Sequence, residues 1–286
     1  MEAKIKVTEV VSKYISNTEH NVKIDNSEAD INVGNLGRYV KIDNSGCNAK
    51  IHNGGRDTQI RNSGCDTQIR NDEVNVKIDN SGRGTQIDNS GRDTQIDNSE
   101  EEALIRNSGH NVNVYNFGRY AKIRNSGDYA KIVNSGYNIN VGNSGAYAQI
   151  GNSGDYAQID SCGDYAQIVN SGNHAHIVSD GDGAHIGDSG RDTHIVSSGY
   201  GAHIVSSGED AQIDSSGRRA VICCIGKGSA VKAKIGSWVT LTEFASFCVK
   251  TEYVDGERIK EDTWYQMING EFVAHELING HFVELP

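Results

Sequence analysis

The sequence predicts an all-β fold, a parallel β-solenoid closed by a small β-rich C-terminal cap, and three observations predict it. A nine-residue unit, Asn/Ser-Ser-Gly-x-x-Ala-x-Ile-x, repeats without insertion or deletion from Ile15 to Ile222, and NSGDYAQIDSCGDYAQIV, from Asn152 to Val169, holds two clean copies. Counted in nines, the phase falls on Ile at all but three of twenty-four positions, the exceptions being Val33, Val114 and Val141. The chain of 286 residues carries 33 Gly, one Pro and 7% aromatic residues, a composition too rich in Gly and too poor in rings for an ordinary packed core. Repeats of strand plus turn at this period stack coil on coil and share one continuous core.

Each position of the unit has a physical reason. A column as strict as the Ile column is expected inside. Two residues earlier the side chain is small or branched, as at Ala49, Thr58, Val76, Ala157 and Ala211, and residues two apart in a strand share a face. Gln158, Asp160 and Tyr156 are then expected outside. Gly stands five residues before the Ile in most units (Gly37, Gly91, Gly127, Gly163, Gly217), where a tight turn is expected to need φ > 0. The Asn column, unbroken from Asn17 to Asn152 and mostly Ser from Ser161 onward, suits amides stacked ~4.8 Å apart that bond along the axis. Ordering nine residues costs roughly 9 to 18 kcal/mol, whereas one buried Ile contributes about 1.5 to 3. A single unit therefore cannot fold alone, and the array is long.

Two coils fit the period. A three-sided prism of twenty-seven residues is favoured by longer similarities at multiples of that spacing, INVGNLGRYVKI at Ile31 against VNVYNFGRYAKI at Val112. A two-sided β-roll of eighteen residues per coil is favoured by volume, because Ala plus Ile is too little to fill a prism at interior density. The roll is the expectation. It places Cys47 beside Cys65, where mild oxidation would link them if their Cβ atoms point suitably; the six cysteines show no paired spacing, and all are expected as free thiols in a reducing compartment.

In chain order, residues 1–14 alternate apolar and charged and are expected as a strand that caps the first coil. Residues 15–235 are the solenoid. Early units are irregular, with Glu19, Glu28, Glu73 and Glu100 in place of Gly, and the phase is lost after Val231. Residues 236–286 form a β-rich cap: SWVTLTEF and FCVKTEYV read as strands, and two Asn-Gly pairs between apolar runs read as hairpin turns. The cap concentrates the rings Trp238, Phe244, Phe247, Tyr253, Trp264, Tyr265, Phe272 and Phe282.

The cap carries Val254-Asp255-Gly256-Glu257, Ile259-Lys260, Asp262-Thr263-Trp264-Tyr265 and Gly270-Glu271-Phe272-Val273. In these residues, and more loosely in the repeats, the chain resembles a group of nonapeptide-repeat β-solenoid proteins of gut bacteria and their phages with a VDGE-x-I-K-x-DTWY module. A bulkier Ile column and an added LINGHFVEL hairpin depart from that pattern. The resemblance implies the architecture and supplies no catalytic residue.

Composition and motif narrow the function. No GxSxG or HExxH pattern occurs, and a uniform array without loop insertions suggests no cleft, so no enzyme and no cofactor are expected. Net charge is −11, of which −6 falls between Gly236 and Pro286, so the repeats are nearly balanced and nucleic acid is not an expected partner. The Asp of the calcium β-roll unit falls where this chain has Ala, Thr or Val, which argues against a Ca²⁺ cage. His176, His185, His194 and His203 share an outward column and are weak candidates for a metal; the plainer reading is that they replace the outward Gln. Tyr129, Tyr147 and Tyr165, eighteen apart, would form an aromatic stripe, a dimer face or a strip for stacking a glycan, and cross-strand stabilisation of the sheet explains the stripe equally well. With Trp238, Trp264 and Tyr265 they are the candidate interaction residues.

The leading expectation is a non-enzymatic structural or interaction protein, a rigid solenoid rod or display scaffold in a bacterial or phage setting. It would form homo-oligomers or take a protein partner through its C-terminal module. The alternatives are a partner-binding inhibitor or nucleic-acid mimic, whose anionic columns Arg56, Arg83, Arg92, Arg119 and Arg191 would interrupt, and a glycan-binding solenoid. Without an apolar run of membrane length or a signal-like start, no membrane contact and a cytoplasmic or virion location are expected.

Overall fold

The computed structural model describes residues 3–7, 13–243 and 248–285, with side chains from residue 13 onward; Phe244 and Phe247 of the cap's ring cluster, and the side chains that make residues 1–14 amphipathic, lie outside the described residues. Among the described residues it holds thirty-one strands and no helix. Two compact units divide the chain, Met1–Gly145 and Ala146–Pro286.

In the first unit, strands of mostly four residues recur every nine residues and go alternately to two parallel sheets. One sheet runs from Ala3–Val7 and Val22–Asn26 to Lys131–Asn134, the other from Tyr14–Asn17 to Asn140–Asn143. Each residue pairs with the one eighteen along, as in Ile24 with Ile42 and Ile42 with Ile60. This is the two-sided coil, and the twenty-seven-residue prism is excluded. The opening strand departs from the count, since Ala3 pairs with Val22 and Ile5 with Ile24.

Burial follows the alternation of the sequence. Lys50–Asn53 alternates exposed and buried side chains, with Ile51 and Asn53 inside. Ile24, Ile42, Ile60, Ile78 and Ile96 have no exposed surface, so each contributes about 1.5 to 3 kcal/mol of burial. The buried Asn column is satisfied amide by amide. Asn53 Nδ2 donates to Asn71 Oδ1 at 2.8 Å and to the Gly55 carbonyl at 2.8 Å, while its Oδ1 accepts from Asn35 Nδ2 at 2.8 Å and from the Gly55 N–H at 3.3 Å. An amide has two donors and one accepting oxygen, and here all are engaged. Buried threonines of the small column are satisfied too, Thr67 Oγ1 donating to the Gly64 carbonyl at 3.0 Å.

The turn corrects the sequence reading. Left-handed backbone falls three residues before the Ile, at Asn21, Tyr39, Asp66, Tyr120 and Tyr156 among others, with φ between 52° and 57° at these five. The Gly five residues before the Ile does not adopt it. Left-handed φ at the former position turns its N–H toward the next coil: Tyr39 N–H donates to the Arg56 carbonyl at 3.2 Å and Asp66 N–H to the Arg83 carbonyl at 2.9 Å. At the other position Gly serves closeness of approach in most coils, Glu standing there in four. A Cβ on Gly64 would lie 2.0 Å from the Gly46 carbonyl oxygen, and one on Gly127 2.0 Å from that of Gly109.

The second unit repeats the coil, pairing Ile159 with Ile177 and Ile168 with Ile186. Its polar interior differs. On one sheet Asn152 donates to Asn170 at 2.7 Å, Asn170 to Asp188 at 2.8 Å, and Ser206 Oγ to Asp188 at 2.9 Å. On the other, the buried hydroxyls of Ser179, Ser197 and Ser215 have no hydrogen-bond partner.

Parallel pairing runs beyond Ile235, where sequence reading ends the solenoid. Val239 pairs with Ile222 and Leu241 with Cys224, seventeen residues on, so Trp238–Glu243 completes one more coil with both apolar side chains buried. Direction then reverses. Cys248–Tyr253 lies antiparallel on Trp238–Glu243, and Trp264–Ile268 lies antiparallel on Ala230–Ala233 through Val231 with Tyr265. Glu271–Ile278 and His281–Glu284 extend the second sheet as hairpins. Both Asn-Gly loops have φ > 0 at each residue, Asn269 52° and Gly270 77°, Asn279 50° and Gly280 81°. That is the pair of conformations a two-residue hairpin requires.

Candidate functional site

A concavity lies along one sheet of the first unit. Outward residues just after the Ile form a column, Asp25, Asp43, Arg61, Asp79, Asp97 and Tyr115, in continuous register. The residue after each Asn forms a parallel ridge of Ser27, Ser45, Ser63, Ser81, Ser99 and Phe117. Between them runs an open trough of about 950 Å³. Period-two alternation of the strand sets the first column outward, and the tight turn after Asn sets the second.

Charge in the trough is largely neutralised. Lys23 Nζ lies 2.7 Å from Asp25 and 3.0 Å from Asp43, Lys77 Nζ 3.1 Å from Asp79 and 3.4 Å from Asp97, and Arg61 Nε 3.8 Å from Asp79. Hydrogen bonds to these carboxylates hold the Lys23 and Lys77 ammonium groups above their ordinary pKa. Ser45, Ser63, Ser81 and Ser99 hydroxyls donate to the backbone carbonyls of Asn26, Asn44, Asn62 and Asn80 at 3.3 Å. Their lone pairs stay available as acceptors. Equivalent positions on the opposite sheet are His52, Arg70, Asp88, Arg106 and Arg124, a face of different chemistry.

Sequence reasoning missed Tyr115 and Phe117. The signal was present: neighbouring coils read Asp79-Asn80-Ser81 and Asp97-Asn98-Ser99, whereas this coil reads Tyr115-Asn116-Phe117. Phe117 remains 60% exposed, so core packing does not account for it.

The four candidate histidines separate into two pairs on different sheets of the second unit. His176 and His194 meet edge to face at 5.0 Å, and His185 and His203 lie face to face at 4.9 Å with planes 10° apart. Among the described residues no group of three or more His, Cys, Asp or Glu is placed to hold a metal ion. Burial, followed by the neighbouring His176, lowers the pKa of His194.

Tyr147 and Tyr165 stack at 5.3 Å with planes 9° apart. Tyr129, in the first unit, is exposed. All three occupy the left-handed turn position rather than a strand, so cross-strand support of a sheet does not explain them. In the C-terminal strands Trp238 is half exposed and packs on Tyr253 at 5.0 Å. Trp264 and Tyr265, expected as contact residues, are instead buried: Trp264 lies under Lys232 Nζ and against Phe282, and the Tyr265 hydroxyl accepts the Lys260 N–H at 2.9 Å. A module this small needs such rings for its own packing. Exposed apolar surface there includes Val249 and Tyr253 on one sheet and Ile278, Val283 and Leu285 on the other.

Cys47 and Cys65 are joined by a disulfide across one coil, which corrects the free-thiol expectation for that pair. Cys162, Cys223, Cys224 and Cys248 are free, and burial raises the Cys224 thiol to about 12.

These features define a parallel β-solenoid repeat protein of eighteen residues per coil. Comparison with protein-family models, curated proteins and solved structures finds no match.

Proposed function

We propose that this is a non-enzymatic structural or interaction protein, a solenoid scaffold that associates with a second copy through its C-terminal strands. One observation carries the reading. His281–Glu284 pairs on one side only among the described residues, and Ile278, Val283 and Leu285 beside it are 40 to 47% exposed. An open strand edge with apolar side chains is a template for another chain. The interior supports the scaffold role, because its polar side chains are largely spent on ladders between coils, and stability of such stacks grows by nearest-neighbour terms. A bacterial or phage setting follows from the resemblance in the cap motif.

The test is light scattering on the full chain and on an Ile278→Lys, Val283→Lys variant. An oligomer that the variant converts to a monomer supports the reading. A wild-type monomer over the micromolar range would sink it.

A further inference from the structure

We propose that the trough of the first unit is a binding site for an uncharged linear oligosaccharide, laid along the coil axis with one sugar ring against Tyr115 and Phe117. The proposal does not depend on how the C-terminal strands associate, and needs only the coil.

Size and shape come first. From Asp25 to Tyr115 the register advances five coils, about 24 Å at ~4.8 Å per strand. A volume of about 950 Å³ spread over that length is a furrow for a chain, not a pocket for a compact molecule. A polymer of pyranose rings presents hydroxyls at regular intervals along both edges, and the trough presents serine oxygens at one-coil intervals on one wall and, on the other, carboxylates interrupted once by Arg61.

Charge then selects among linear polymers. A cationic peptide would need free carboxylates, but Lys23 and Lys77 each bridge two of the four, and Arg61 lies beside Asp79. A polyanion would meet those same four carboxylates directly. Paired carboxylates keep unused lone pairs that accept hydrogen bonds from neutral hydroxyls. Gln95, whose Nε2 donates to Asp97 at 2.7 Å, is held beside them as a further polar group.

The aromatic pair supplies the remaining argument. Two rings, the half-buried Tyr115 and the exposed Phe117, replace an Asp and a Ser in one coil of an otherwise polar furrow. They add nothing to the ladder, since the intervening Asn116 still donates to Asn134 at 2.7 Å and accepts from Asn98 at 2.8 Å. Ring faces pack on the C–H faces of sugars while the flanking polar groups bond the hydroxyls, the mixed lining that orients a ligand.

The experiment uses the full chain and a Tyr115→Asp, Phe117→Ser variant, which gives this coil the residues of its neighbours and so keeps the fold. Cellohexaose, xylohexaose, laminarihexaose, maltohexaose and chitohexaose are titrated by calorimetry at low and high salt, with hexalysine as the charged control. The expected result is binding of at least one sugar, little changed by salt, and weakened about tenfold or more in the variant. Absence of binding by all five sugars, equal affinity in the variant, or tighter binding of hexalysine than of any sugar would each overturn the proposal.

Discussion

The side-chain amide of Asn35 donates to the Oδ1 of Asn53, one coil along, at 2.8 Å, deep in the first unit. Asn53 passes the bond on to Asn71 and closes its own turn on Gly55. Replacing Asn53 by Ala takes the acceptor from one Asn35 side-chain N–H and from the Gly55 N–H and the donor from Asn71 Oδ1, all in the interior, while Thr58 Oγ1 still donates to the Gly55 carbonyl at 2.9 Å. The expected loss is about 2 to 4 kcal/mol in urea unfolding. A loss no larger than that of an exposed Gln59→Ala change would show that the ladder is not a stabilising element.

The second unit predicts the opposite sign. The Ser197 hydroxyl is buried without a partner, so Ser197→Ala removes a desolvated polar group and leaves apolar contact intact. Stability is expected to hold or rise by up to about 1 kcal/mol. Destabilisation beyond that would mean the hydroxyl has a role in the interior.

Turn chemistry separates two substitutions that look alike on paper. Gly127→Ala would place Cβ 2.0 Å from the Gly109 carbonyl oxygen and is expected to cost about 2 kcal/mol or more. Glu102→Gly relieves a left-handed residue with φ of 61° and loses only an exposed pair with Arg83. It is expected to lie within about 1 kcal/mol of wild type. Thermal midpoints that order the two the other way would refute the assignment of roles in the turn.

His194 makes a pH prediction. Burial and His176 lower its pKa, Lys232 adds to that, and Asp214 opposes it. A base with a depressed folded pKa is stabilising above its unfolded value, about 6.5, and the stability is lost as pH falls toward the folded value. The thermal midpoint should drop between pH 7 and 5, and His194→Gln, the residue at the equivalent position Gln212, should flatten that slope. An unchanged slope would place the titration elsewhere.

Glu252 governs a lower window. Its side chain is buried, bonded by the Arg258 guanidinium and near Lys250, and these hold its carboxyl below the ordinary value. Its contribution is present above about pH 4.3 and is lost as pH falls through the folded value. Acid unfolding of Glu252→Gln, followed by tryptophan fluorescence, should begin from a lower stability and show a shallower dependence below pH 4.

What could be read in advance was whatever the period enforces. The Ile column, the eighteen-residue coil, the Asn ladder and both Asn-Gly hairpins are dictated locally and repeated, so the pattern announces them. The exchange of roles in the turn was hidden because Gly suits both a left-handed φ and a close approach, and only the stacked carbonyl of the preceding coil tells them apart. Trp238–Glu243 was read as cap because one residue is missing from its coil, which breaks the count without breaking the ladder. Trp264 and Tyr265 read as surface anchors because composition does not say which way a ring faces. The trough is hidden in the sequence because it joins two columns, neither of which carries a site by itself, and its rings mark a single coil.

The eighteen-residue register has a genetic corollary. Excising two whole units from the first array, for example residues 62–79, would rejoin Arg61 to Asn80 with Ile, Asn and Gly columns all still in step, so the array can lengthen or shorten by recombination between its own repeats. Excising a single unit would also preserve the interior, yet every later strand would change sheets. Asp97 would then fall in the row of His52 on the opposite sheet, and the furrow would be cut short. Changes of length in steps of nine therefore keep the interior, but only steps of eighteen keep each outward column on its own sheet.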